Sequence, residues 1–355
     1  MKFFVSTGEV SGDLHLSYLV DAIKKKYDNV EFFGVAGEHS KKAGVHIIQN
    51  INELAIMGFT EIIKKYRFLK RKANEYVEFI KSENIKKVIL VDYGGFNLKF
   101  LELLKREIPD IEVFYYIPPK LWVWGEKRIE KLRKADHIMV IFPWEVDFYK
   151  KYGIDAIYFG NPFAEKYNIV KRIGQNILLL PGSRKQEITS LMPIYYDLVR
   201  ENPNEKFLLK LSSKEHLKWI EKKEFDNLEI VFNDSLSKCV ESSKVAVAAS
   251  GTVTLELALM GIPTVVVYKT GFINAFIAKY ILKIGFVSLP NLTLNKEVYP
   301  ELLQERCNSV EIKSAIEDFE KNSVKTNENI AKVREKLSGE NIIERYGDFL
   351  VKGEK

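Results

Sequence analysis

Asp92 closes the apolar run Lys87-Val88-Ile89-Leu90-Val91 and is followed by Tyr93-Gly94-Gly95-Phe96-Asn97. A carboxylate at the carboxyl end of a buried strand faces the ligand side of an α/β sheet, where it can take a proton from an attacking hydroxyl. A backbone-bonding or helix-capping aspartate would read the same way. A second polar turn, Gly8-Glu9-Val10-Ser11-Gly12-Asp13, separates the apolar run Lys2–Ser6 from a helical pattern that starts at Leu14. Its glycines allow close backbone approach to a ligand, and the helix start favours a negative group. A plain strand-to-helix turn capped by Asp13 fits these residues too. The turn matches neither the dinucleotide G-x-G-x-x-G spacing nor a P-loop.

Two further turns lie in the second half. Pro181-Gly182-Ser183-Arg184 follows Ile177-Leu178-Leu179-Leu180 and opens a helix, so its amides and the Arg184 guanidinium suit a phosphate. Ser250-Gly251-Thr252 follows Val245-Ala246-Val247-Ala248 and leads through Thr254 and Leu255 to Glu256. The hydroxyls and amides suit a diphosphate, and a carboxylate one turn into the helix can accept from ribose hydroxyls. The plainer alternatives are a Gly-Ser turn with a solvated arginine and a capped helix with an acid near its positive end.

Metal chemistry is not expected. His15, His39, His46, His137 and His216 form no pair at i, i+4 spacing, and no Asp-x-Asp triplet is present. Cys239 and Cys307 have neither metal nor redox spacing and fit a reducing compartment. No cofactor is expected, and a departing diphosphate would have to be stabilised by amides and cations.

These residues must be held by repeated strand and helix units. Apolar runs at Lys2–Ser6, Val30–Val35, Lys87–Val91, Glu112–Tyr116, His137–Ile141 and Ala156–Phe159 predict strands in the first half. Asn176–Leu180, Lys206–Leu211, Leu228–Val231, Val245–Ala248 and Pro263–Tyr268 predict them in the second. Helical periodicity fills the gaps, which makes the chain α/β with parallel sheets. The linker at Gly160-Asn161-Pro162-Phe163 suggests one domain over 1–163 and another over 170–320, with helices over 321–355. Two such lobes facing each other would put a ligand cleft at the carboxyl ends of their strands.

Net charge is +6, from 54 Lys and Arg against 48 Asp and Glu. That permits phosphate or anionic membrane binding, and no nucleic-acid module is recognisable. The chain opens on a strand pattern and not on a secretory leader, so it is expected to stay in the cytoplasm. Two helical stripes could meet acyl chains or a bilayer. One is Ile56, Phe59, Ile62, Ile63, Tyr66 and Leu69, flanked by Lys64, Lys65, Arg67, Lys70, Arg71 and Lys72. The other runs from Phe272 to Ile284. Each would look the same as the core-facing side of a helix.

Taken in order, these segments resemble the lipid-A-disaccharide synthase family. The likeness also includes Met57-Gly58-Phe59, Trp122-Val123-Trp124 with Arg128, Phe142-Pro143-Trp144-Glu145 and Gly160-Asn161-Pro162. It continues through Gln186-Glu187-Ile188, Ser288-Leu289-Pro290-Asn291 and Pro300-Glu301-Leu302-Leu303-Gln304. The resemblance implies a glycosyltransferase-B architecture of two Rossmann-like lobes, with C-terminal helices packing back on the first. It implies an inverting, metal-independent transfer from UDP-2,3-diacylglucosamine to the 6-hydroxyl of 2,3-diacylglucosamine 1-phosphate, in lipid A biosynthesis. Asp92 matches the family's essential aspartate. Gly182, Ser183, Arg184, Ser250, Gly251, Thr252, Glu256, Asn291, Glu301 and Gln304 match the UDP side, and Gly8, Glu9, Ser11, Gly12 and Asp13 match an active-site turn. The likeness further implies peripheral attachment to the inner face of the cytoplasmic membrane and admits a homodimer. Apart from the likeness, the residues would also suit a UDP-sugar epimerase, a soluble-acceptor transferase or a non-catalytic nucleotide or lipid carrier.

Overall fold

The structure, a computed structural model, describes residues 1–51, 62–119, 121, 128–269 and 285–353, with backbone only at 62–66. The chain forms two compact units. One comprises Met1–Glu165 with Gly339–Lys355, the other Lys166–Ser338. The segment that returns to the first unit begins at Gly339, later than the 321 expected for the returning helices.

The first unit carries a seven-stranded sheet in the order β3-β2-β1-β4-β5-β6-β7. Its strands are β1 (Lys2–Ser6), β2 (Glu31–Ala36), β3 (Val45–Asn50), β4 (Lys87–Val91), β5 (Glu112–Tyr116), β6 (His137–Met139) and β7 (Ala156–Ile157). All pairings are parallel, with Val5 beside Ile89 and Ser6 beside Leu90. The central strands are apolar on both faces because helices cover both sides. Helix α1 (Val10–Lys26), α2 (Glu38–Lys42), α3 (Ile62–Ser82) and α4 (Gly94–Glu107) follow in this unit. Phe4, Tyr76 and Phe100 pack ring to ring at 5.7 to 6.1 Å and tie α3 and α4 to β1.

The second unit repeats the plan with six strands in the order β10-β9-β8-β11-β12-β13. These are β8 (Asn176–Leu180), β9 (Phe207–Lys210), β10 (Leu228–Val231), β11 (Ser243–Ala249), β12 (Thr264–Tyr268) and β13 (Glu301–Leu303). Its helices include α5 (Lys185–Glu201), α6 (Thr252–Met260), α7 (Leu289–Leu294) and α8 (Ser323–Leu337). The last helix, α9 (Ile342–Lys352), belongs to the first unit and lies on α1. There the Tyr346 hydroxyl donates to Val140 O at 2.6 Å and accepts from Phe159 N at 3.1 Å.

Two edge strands, β3 and β13, carry no clear strand signal in the sequence. In Val45–Asn50 exposed and covered positions alternate, so it has no continuous apolar run. Glu301–Leu303 is too short to show a pattern.

In each sheet the strand order reverses once, at β1/β4 and at β8/β11. Ligands of open α/β sheets bind beyond the carboxyl ends of the strands at that reversal.

Candidate active site

The loops that leave β1 and β4 are those around Gly8 and Asp92. Helix α1 starts at Val10 and not at Leu14, so Ser11, Gly12 and Asp13 lie in its first turns, after an extended Glu9. Asp13 does not cap its own helix. Its carboxylate, 1% exposed, accepts from the amides of Gly37 at 2.8 Å, His39 at 2.9 Å and Ser40 at 3.3 Å, at the start of α2. A carboxylate held by three amides is a structural anchor. A β-carbon on Gly8 would overlap the Tyr93 ring, and one on Gly12 would reach to 3.8 Å from Asp92 Cβ. The turn and the Asp92 loop therefore pack against each other.

Asp92 and Tyr93 both have left-handed backbones, with φ of 46° and 49°. Neither is glycine, so neighbouring contacts must hold this conformation. The Asp92 amide donates to Tyr116 O at 3.2 Å and Ile117 O at 3.1 Å. Its carbonyl accepts from the Tyr115 hydroxyl at 2.9 Å and from Asn97 Nδ2 at 3.0 Å. Asn97 is fully buried; its Nδ2 also donates to Ser6 O and Val91 O, and its Oδ1 accepts from Ser6 Oγ at 2.7 Å. One amide side chain thus joins the ends of β1 and β4 and fixes Asp92. In the sequence Asn97 stood out only as part of a motif, and a buried asparagine beside an apolar run is the signal for such a role. Burial raises the pKa of the Tyr115 phenol well above its usual value, and the Asp92 charge adds to the effect.

His15 lies under the same edge. It stacks on Phe163 at 4.3 Å, and its Nδ1 makes no hydrogen bond among the described residues. Burial pushes its pKa down to about 3, so it is neutral at physiological pH.

In the second unit the loops leaving β8 and β11 are Pro181–Arg184 and Ser250–Thr252. Gly182 has φ of 94°, a conformation that favours glycine. The donors expected to grip a phosphate already hold an anion from the chain itself. Glu187 Oε2 accepts from Ser183 N at 3.2 Å and Arg184 N at 3.3 Å, while Oε1 accepts from Arg184 Nη1 at 3.2 Å. The other turn is open: Gly251 is exposed, and a β-carbon there would meet nothing within 4 Å. Ser250 Oγ donates to Val287 O at 3.4 Å. Thr252 begins α6, and Glu256 one turn on accepts from the Tyr167 hydroxyl at 2.6 Å. Burial raises the Glu256 pKa, and the Tyr167 hydrogen bond opposes that shift.

Asn291 and Glu301, assigned to the UDP side, are occupied within the chain. Asn291 is 0% exposed; its Nδ2 donates to Tyr299 O and Glu301 Oε1, both at 2.8 Å, and its Oδ1 accepts from the amides of Val298 and Tyr299. Glu301 also accepts from Val287 N at 2.9 Å and Ser288 N at 2.8 Å. The two side chains hold the 287–288 turn that leads into α7 and whose Val287 carbonyl accepts from Ser250 Oγ. Gln304 has φ of 55° at the end of β13.

Of the first amphipathic stripe, Ile56 and Phe59 lie outside the described residues, as do the side chains of Ile62, Ile63 and Tyr66. Leu69 is half-buried and packs against the core of the first unit. The second stripe, 272–284, lies outside as well. Cys239 and Cys307 are buried free thiols. Among the described residues no helix is long and apolar enough to cross a membrane, and no cluster of three His, Cys, Asp or Glu is placed to hold a metal.

The family model for lipid-A-disaccharide synthetase matches residues 3–347. Lipid-A-disaccharide synthase 1 of Legionella pneumophila is 32% identical over 360 residues, covering 95% of this chain and 93% of that protein. Among solved structures, UDP-GlcNAc 2-epimerase from Neisseria meningitidis bound to UDP-GlcNAc is similar with a TM-score of 0.61 and 11% identity, over 99% of each chain. Spinosyn rhamnosyltransferase is similar with a TM-score of 0.63 and 12% identity, over 99% of this chain and 100% of that one. At such identities the structural likeness is one of fold.

Proposed function

This chain belongs to the lipid-A-disaccharide synthase family, and from that premise we propose that it joins two acylated glucosamines. It transfers the sugar of UDP-2,3-diacylglucosamine to the 6-hydroxyl of 2,3-diacylglucosamine 1-phosphate and releases UDP. Asp92 takes the hydroxyl proton as the oxygen attacks the anomeric carbon. The bond from that carbon to the diphosphate oxygen breaks, its electron pair leaves with UDP, and the product is a β(1→6) disaccharide.

The placement of polar loops at both strand-order reversals carries this reading. Asp92 with the Gly8–Gly12 turn stands at β1/β4, and Gly182–Arg184 with Ser250–Thr252 stands at β8/β11. The departing charge is taken up by amides and a guanidinium whose ability to hold an anion is supported by Glu187 lying on them. Asn97 supports Asp92 by fixing its backbone, so the base is pre-positioned and does not have to be ordered during turnover. Asp13, Asn291 and Glu301 support the loops and do not touch the reacting atoms.

Acylated substrates call for a membrane surface. The basic stripe over 56–72 suits a peripheral site on the inner face of the cytoplasmic membrane.

Supplying both purified diacyl sugars to the protein tests the whole reading. Release of UDP together with a disaccharide phosphate of the summed sugar mass is expected. Absence of UDP, or UDP without the disaccharide, overturns it.

A further inference from the structure

Tyr167 is the second residue of the second unit, in the segment where the chain enters it. Its hydroxyl donates to Glu256 Oε2 at 2.6 Å, while Glu256 Oε1 makes no hydrogen bond among the described residues. Glu256 lies one turn into α6, the helix that opens from the exposed Gly251. Tyr167 is itself held firmly. Its ring packs against the apolar cluster of Leu178, Ala248 and Leu257. Its carbonyl accepts from Arg334 Nη1 at 2.7 Å, and that nitrogen also donates to Leu259 O at 2.8 Å. Arg334 is on α8, just before the chain leaves the unit after Ser338.

A carboxylate with one oxygen fixed and the other available is a directed acceptor. The fixed oxygen sets the plane of the group, so the remaining one does not have to be ordered when a ligand arrives. A charged acceptor also binds hydroxyls more strongly than a neutral one. Burial works against the charge on Glu256, and the phenol donor works for it.

We propose that Tyr167 is a positioning residue for the nucleotide: it holds one oxygen of Glu256 so that the other accepts the ribose hydroxyls of UDP. The proposal rests on the nucleotide-facing assignment of Glu256 above. It adds a residue outside every motif that carried the family resemblance, acting through the side chain of Glu256 and not by its own contact with ligand.

Calorimetric titration with UDP, 2′-deoxy-UDP and 3′-deoxy-UDP tests it on the wild type, Glu256→Gln and Tyr167→Phe. The wild type should prefer UDP to at least one deoxy analogue by about tenfold, the scale of a hydrogen bond to a charged group. Both variants should lose most of that preference, with UDP weakened more than either deoxy analogue, while measurable binding of all three shows that they are folded. If Glu256→Gln loses the preference and Tyr167→Phe keeps it, Tyr167 does not position the carboxylate and the proposal fails. Equal losses for UDP and its deoxy analogues in Tyr167→Phe would assign the residue to packing alone, again against the proposal. A preference that survives Glu256→Gln removes the ribose assignment itself, and the role of Tyr167 falls with it.

Discussion

Gly8 and Tyr93 are packed together at the carboxyl edge of the first sheet, with no space for a β-carbon on the glycine. Tyr93 directly follows Asp92, and the two share a left-handed backbone. The turn after β1 therefore bears on the residue next to the proposed base.

Gly8→Ala should displace the Tyr93 ring and, with it, Asp92. A misplacement of about 1 Å can cost up to about 10² in rate, so kcat should fall by roughly tenfold or more with UDP affinity little changed. Tyr93→Ala makes room for the new methyl group, so the double variant should recover part of the loss. Strictly additive losses in the kinetic cycle would refute the contact as the cause.

Asp92→Asn keeps the shape of the side chain and removes the base. Turnover should drop by about 10² or more while UDP binding measured by calorimetry holds. An unchanged kcat would place proton transfer on another group.

Glu187 occupies Ser183 N, Arg184 N and the Arg184 guanidinium, the donors proposed to receive the diphosphate. Glu187→Gln retains a side-chain acceptor for the helix start but removes the charge. UDP should then bind about two- to fivefold more tightly, the range set by an exposed ion pair of roughly 0.5 to 1 kcal/mol. Arg184→Ala should weaken UDP. Weaker binding in the glutamine variant would instead make Glu187 a supporter of the site.

His15 makes stability depend on pH in a definite direction. Its folded pKa is near 3 because burial disfavours the charged ring, against 6.5 for the free side chain. Below pH 6.5 the unfolded chain binds a proton that the folded one does not, so stability falls as pH falls, from 6.5 towards 3. Between pH 6.5 and pH 5 the loss from this group is about 1.6 kcal/mol. His15→Phe keeps an aromatic ring against Phe163 and should flatten the pH dependence of the urea midpoint over that interval. An unchanged slope would show that His15 is protonated without cost in the folded protein.

Much of the scaffold was legible because parallel strands buried on both faces read as unbroken apolar runs. Lys87–Val91, Glu112–Tyr116 and Asn176–Leu180 appear in the structure with the ends the sequence suggests. The loops after such runs could be singled out as well, since glycines, hydroxyls and acids at strand ends stand out against apolar neighbours. The edge strands β3 and β13 lacked that signal, the one half exposed and the other three residues long.

The partners of the polar side chains were decided only by the tertiary structure. Asn97 meets Ser6 across 91 residues, and Asp13 meets Gly37 across 24. Sequence spacing governs neighbours within a helical turn or along a strand, and these contacts are of neither kind. They arise because β1 pairs with β4 and β2, which brings the ends of distant strands to one edge of the sheet. Residue type determined that Asp92 and Arg184 could do chemistry. Strand order determined that Asn97 fixes Asp92, and that Asn291 and Glu301 hold up a loop.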